Sequence, residues 1–86
     1  MPQISSFYGI IIYLYFKDHN PPHFNAKYSG YEALFEIKSL TVIKGSLLKR
    51  AMNLVITLGH LHQNELLSAW EVIGNRELPN PIEPLP

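Results

Sequence analysis

Eighty-six residues leave room for one domain, and a chain without cysteine has neither disulfides nor thiolate metal sites. Seven basic side chains balance seven acidic ones, so the phosphate-neutralising excess of a typical nucleic-acid binder is missing. A hydrophobic content of 47% is ample for a core and rules out a disordered chain.

The first strong element is Ile10-Ile11-Ile12-Tyr13-Leu14-Tyr15-Phe16, β-branched and aromatic throughout. It reads as a central strand buried on both faces, and it is far too short to span a bilayer. With no signal-peptide pattern before it, the expectation is a cytoplasmic protein with no membrane contact. A polar corner, Lys17 to Pro22, ends the strand.

Phe24 to Ile37 reads as a hairpin turning at Ser29-Gly30. A two-residue loop pairs Tyr28 with Tyr31, Ala26 with Ala33 and Phe24 with Phe35 on one apolar face. On the other face Lys27 opposes Glu32 and His23 opposes Glu36. A slip of one residue would mix the faces. Thr41-Val42-Ile43 follows as a short strand, and Gly45 punctuates it.

Ser46 is the predicted N-cap of a helix with Leu47, Ala51, Leu54, Val55, Leu58 and Leu61 at helical spacing. Gly59-His60 is expected to weaken this helix. Asn64 is the predicted cap of a second one, striped by Leu66, Leu67, Trp70 and Ile73 and ended by Gly74-Asn75; one long bent helix is the alternative. Residues 1–78 form the predicted single domain. Pro79, Pro81, Pro84 and Pro86 make 79–86 an extended tail, packed back through Ile82 and Leu85 or wrapped on a partner.

The chemistry concentrates at Asp18-His19-Asn20-Pro21-Pro22-His23-Phe24. The double proline stiffens this corner and removes two N–H donors. His19, His23, Asp18 and Glu36 together offer imidazole and carboxylate, suited to acid–base work near neutral pH or to a divalent metal. The prolines exclude the helix that would align histidines at i and i+4, so their convergence is left open. The plain alternative is a turn capped by Asp18 and Asn20 with locally bonded histidines. His60 and His62, at i and i+2, share no helix face and fit a helix end better than a metal. The five tyrosines fit cross-strand packing better than base stacking, since only Lys17 and Lys27 lie near them. Pro2 as an N-terminal catalytic amine does not fit, because a strand that leads into a corner and a hairpin is not the arrangement of small tautomerases.

Met1-Pro2-Gln3-Ile4-Ser5-Ser6-Phe7-Tyr8-Gly9-Ile10 and Tyr15-Phe16-Lys17-Asp18-His19-Asn20-Pro21-Pro22-His23-Phe24 resemble the bacterial family called domain of unknown function 4160. So do Arg50-Ala51, Leu61-His62, Glu65-Leu66, Trp70 and Pro81-Ile82-Glu83-Pro84-Leu85. The resemblance implies a bacterial cytoplasmic protein whose gene lies beside another small gene, in a layout like that of toxin–antitoxin modules. The family usually carries a third histidine where this chain has Asn25, which places chemistry needing three histidines in doubt.

The expected fold is α+β: an antiparallel meander of three or four strands packed on one or two C-terminal helices. The expected function is partner binding by protein–protein contact, with the neighbouring gene's product as partner and self-association left open. The rival is a small endoribonuclease toxin with His23 or His19 as base or acid and Glu36 orienting the imidazole. Lys17, Lys27 or Arg50 would then meet phosphate, and Asp18 would help bind. Neither reading needs a metal or a cofactor.

Overall fold

The computed structural model describes residues 2–16 and 19–86. The chain forms β1 (Gln3–Phe7), β2 (Ile10–Tyr13), β3 (His23–Tyr28), β4 (Tyr31–Glu36) and β5 (Val42–Gly45). The helices α1 (Lys49–Leu61) and α2 (Gln63–Gly74) follow. The strands make one antiparallel sheet in chain order, so the expected meander is present with five strands.

The added strand is β1, which hairpins onto β2 through Tyr8-Gly9. Its Gln3-Ile4-Ser5-Ser6-Phe7 composition carries little β signal. The turn carries more: φ is 49° at Tyr8 and 80° at Gly9, and the Ser29-Gly30 turn repeats this with 50° and 84°. Two successive positive φ values match the right-handed twist of the flanking strands, which is why such dipeptides close tight hairpins.

The register of β3 and β4 is the predicted one. His23 pairs with Glu36, Phe24 with Phe35, Ala26 with Ala33, Lys27 with Glu32 and Tyr28 with Tyr31. The Phe24 and Phe35 rings stack at 5.3 Å between centroids. The predicted strand over Ile10–Phe16 is shortened to Ile10–Tyr13, because its β1 partner runs out at Gln3. Leu14 still closes onto Pro2 with a 3.0 Å hydrogen bond, while Tyr15 and Phe16 are exposed.

Ser46 is not the N-cap of α1. Its N–H donates to Glu32 O at 3.2 Å and prolongs the ladder of β5, so the helix starts later, from Leu48, with no side-chain cap. Asn64 is likewise not a cap: α2 starts from His62, and Asn64 lies inside it. Gly59-His60 does not break α1. The side chain of Leu40 occupies the space a Cβ at residue 59 would need, 2.5 Å from it, so glycine admits close packing of the helix on the turn between β4 and β5.

Both helices cover one face of the sheet. Ala51, Val55 and Leu58 of α1 and Leu66, Ala69 and Ile73 of α2 are buried with Ile10, Ile12, Leu14, Phe24, Ala26, Ala33 and Phe35. The proline tail packs back on the body. Ile82 is buried, its N–H donates to Ile4 O at 2.7 Å, and the Tyr8 hydroxyl donates to the main-chain oxygen of Pro86. Among the described residues no helix lies across the opposite face of the sheet, and α2 meets a side chain of that face at its end, where Trp70 packs on His23.

Candidate functional site

The corner is tied into the sheet by its backbone. Asn20–Pro21 is a cis peptide, and Pro22 O accepts a 3.0 Å hydrogen bond from Ile37 N just beyond β4. His23 begins β3 at this point. Its Nδ1 lies 2.9 Å from Pro21 O, and a carbonyl only accepts, so Nδ1 carries the proton and donates. A neutral ring then has its lone pair on Nε2. The ring packs on Trp70 of α2, 5.0 Å between centroids at a 50° tilt, and His23 is only 5% exposed.

This geometry gives His23 a structural task. It links the corner's backbone to α2, and a ring so little exposed offers little of itself to a substrate. Glu36 stands opposite it in the register and is half-buried. His19 is exposed. Lys17 and Asp18 lie outside the described residues. Among the described residues, no three of His, Asp and Glu gather as metal ligands would.

Lys27 and Arg50 are not brought together. The Nζ of Lys27 lies 5.1 Å from the centroid of Tyr13, over the ring, on the face of the sheet without helices. Arg50 is exposed on the first turn of α1, beside a shallow hollow of about 450 Å³ bounded by Lys49, Arg50, Asn53, Leu54 and Thr57.

The uncovered face holds a further group that residue types alone did not single out. Tyr13 is fully buried there beneath Lys27 and an edge-on Tyr15, whose centroid is 5.4 Å away. Tyr15, Asn25, Glu32, Leu34, Lys44 and Gly45 border an open cleft of about 340 Å³. The Tyr13 hydroxyl and the Asn25 amide nitrogen are buried without a hydrogen-bond partner among the described residues. Strand alternation hinted at this face, since Asn25 and Lys27 share it, and the burial of Tyr13 agrees with the reading of its strand as buried on both faces.

A family model described as domain of unknown function (DUF4160) matches residues 9–71, most of the 86-residue chain. The chain belongs to this family. The DUF4160 match takes in the corner, the four strands from β2 on, α1 and most of α2. It leaves β1 and the tail outside. Searches of curated proteins and of solved structures each returned no significant match. Among the described residues, no helix of this DUF4160 protein is long and apolar enough to cross a membrane.

Proposed function

We propose that this chain is a small bacterial cytoplasmic protein that acts by binding a protein partner, the product of an adjacent gene, in a toxin–antitoxin-like pair. The observation that carries the reading is the one-sided covering of the sheet. Both helices and the tail serve one face and one edge, while β5 and, on the other face, Glu32 present side chains to solvent around a buried Tyr13 and Asn25. Tyr15, Val42, Ile43 and Leu48 are all exposed in this region and in the turn before α1. Aromatic side chains are enriched in interface cores, and exposed apolar neighbours enlarge the patch that a partner can bury.

The ribonuclease reading draws less support from the geometry. It would use His23 or His19, and of the two the His23 ring is buried and already bonded to the corner, which leaves the exposed His19.

Co-expression with the tagged product of the adjacent gene tests the proposal. A stoichiometric complex that survives size-exclusion chromatography is the expected result. Absence of a complex, with growth arrest by this chain alone that an exposed His19→Ala substitution relieves, would sink the reading and revive the nuclease.

A further inference from the structure

The two edges of the sheet are finished differently. The outer side of β1 is taken by the chain's own tail through Ile82 and Pro86. Among the described residues no strand pairs with the outer side of β5, and Val42 and Ile43 are exposed along it. Ile43 is the extra residue where the pairing shifts between Leu34↔Lys44 and Phe35↔Val42, a bulge that turns its side chain outward.

The charged side chains of β5 and of the first turn of α1 are all basic, and the carboxylates beside them, Glu32 and Glu36, belong to β4. From Ile37 to Asn64 the chain carries Lys38, Lys44, Lys49 and Arg50 and no carboxylate. Glu65, Glu71, Glu77 and Glu83 all come later, so zero net charge conceals a basic region and an acidic one. Lys49 and Arg50 also sit in the first turn of α1, which has no acidic residue and no side-chain cap. Cations there oppose the helix dipole. A sequence breaks such a local rule chiefly where function requires it.

We propose that the β5 edge, with the first turn of α1, docks an acidic extended segment of a protein partner, which adds to the sheet as a sixth strand. This rests on the partner-binding reading and names its surface. Main-chain groups of β5 pair with the segment. Val42, Ile43 and Leu48 receive its apolar side chains, and its carboxylates meet Lys44, Lys49 and Arg50. A second copy of this chain is the wrong occupant, because pairing β5 with β5 sets the same cations against each other. RNA would use the cations but leave the apolar edge and its main-chain groups unmatched.

Backbone amide chemical shifts of the isotope-labelled protein test this with three probes. These are a blocked seven-residue peptide alternating Glu and Val, its Lys and Val counterpart, and a mixed-sequence RNA oligonucleotide. The Glu/Val peptide is expected to shift the amides of Val42–Gly45, Lys49 and Arg50, and the Lys/Val peptide to shift none. Charge reversal at two exposed positions, Lys49→Glu with Arg50→Glu, is expected to weaken the Glu/Val peptide at least tenfold with an unchanged fold. RNA shifting these amides while the Glu/Val peptide does not would overturn the proposal. So would Glu/Val shifts confined to Tyr15, Asn25 and Leu34, or a concentration-dependent dimer through β5. If the adjacent gene's product co-purifies with the wild type and equally with the charge-reversed variant, the surface is wrong and the partner-binding reading stands. If it co-purifies with neither, that reading fails.

Discussion

At the scale of residues, His23 shows how a chemically suggestive side chain can be committed to architecture. Its Nδ1–H is bonded to Pro21 O and its ring lies on Trp70. His23→Ala removes a hydrogen bond worth about 1 kcal/mol and opens a cavity, so a loss of about 2–4 kcal/mol is expected by urea unfolding. An equilibrium unchanged within about 0.5 kcal/mol would return His23 to the candidates for catalysis. Tyr13 makes the opposite case. Its buried hydroxyl has no partner among the described residues, so Tyr13→Phe is expected to be neutral or to stabilise by about 1 kcal/mol. A destabilisation measured in the same assay would reveal a bond to that hydroxyl. Gly45 is fixed by both its φ of +79° and its surroundings, with a Cβ there falling 2.2 Å from Glu32 O. Main chain cannot step aside cheaply, so Gly45→Ala should cost about 2 kcal/mol or more, read as a lowered urea midpoint.

At the scale of elements, burial outweighs surface charge. At the junction of α1 and α2, His62 Nδ1 donates to Glu65 Oε1 at 2.7 Å, but Glu65 is more than half exposed. Exposed pairs contribute about 0–1 kcal/mol, so Glu65→Ala should cost less than about 1 kcal/mol. Its neighbour Leu66 is fully buried, and Leu66→Ala should cost about 2–5 kcal/mol. Thermal unfolding of the pair decides between them, and equal costs would contradict the packing described. The hairpin of β3 and β4 was legible in the sequence because every cross-strand pair agreed in a single register. β1 was not, because a Ser-Ser strand is held by its turn, by Leu14 and Pro2 and by the tail rather than by its own propensity. Ser46 misled for a similar reason: a residue suited to capping a helix was instead recruited by the carbonyl of Glu32.

At the scale of the whole molecule, the chain covers one side of its sheet with helices and leaves the other side to its own strand side chains. A short chain buries a modest share of its surface, and a partner that binds only the folded state adds stability by mass action, about 2.7 kcal/mol at a hundredfold excess over Kd. A raised Tm in the presence of the adjacent gene's product is therefore expected, and an unchanged Tm at saturating concentration would argue against any contact with the folded chain. The tail contributes at this scale too. Removing residues 81–86 strips Ile82 from the core and uncovers the outer side of β1. Size-exclusion chromatography should then show association absent from the full chain, since a bared edge pairs readily.

What the sequence by itself determined is the α+β class, the hairpin register, the apolar stripes of the helices and the family. Each rests on periodicity or on a contiguous motif, which local chemistry writes directly into the residue order. What only the tertiary structure decided is the use of those residues. The packing of α2 on His23, the tail along β1 and the bare edge of β5 depend on which segments meet in space. Residues far apart in the chain, such as His23 and Trp70 or Ile4 and Ile82, carry no mark in the sequence of the contact they will make.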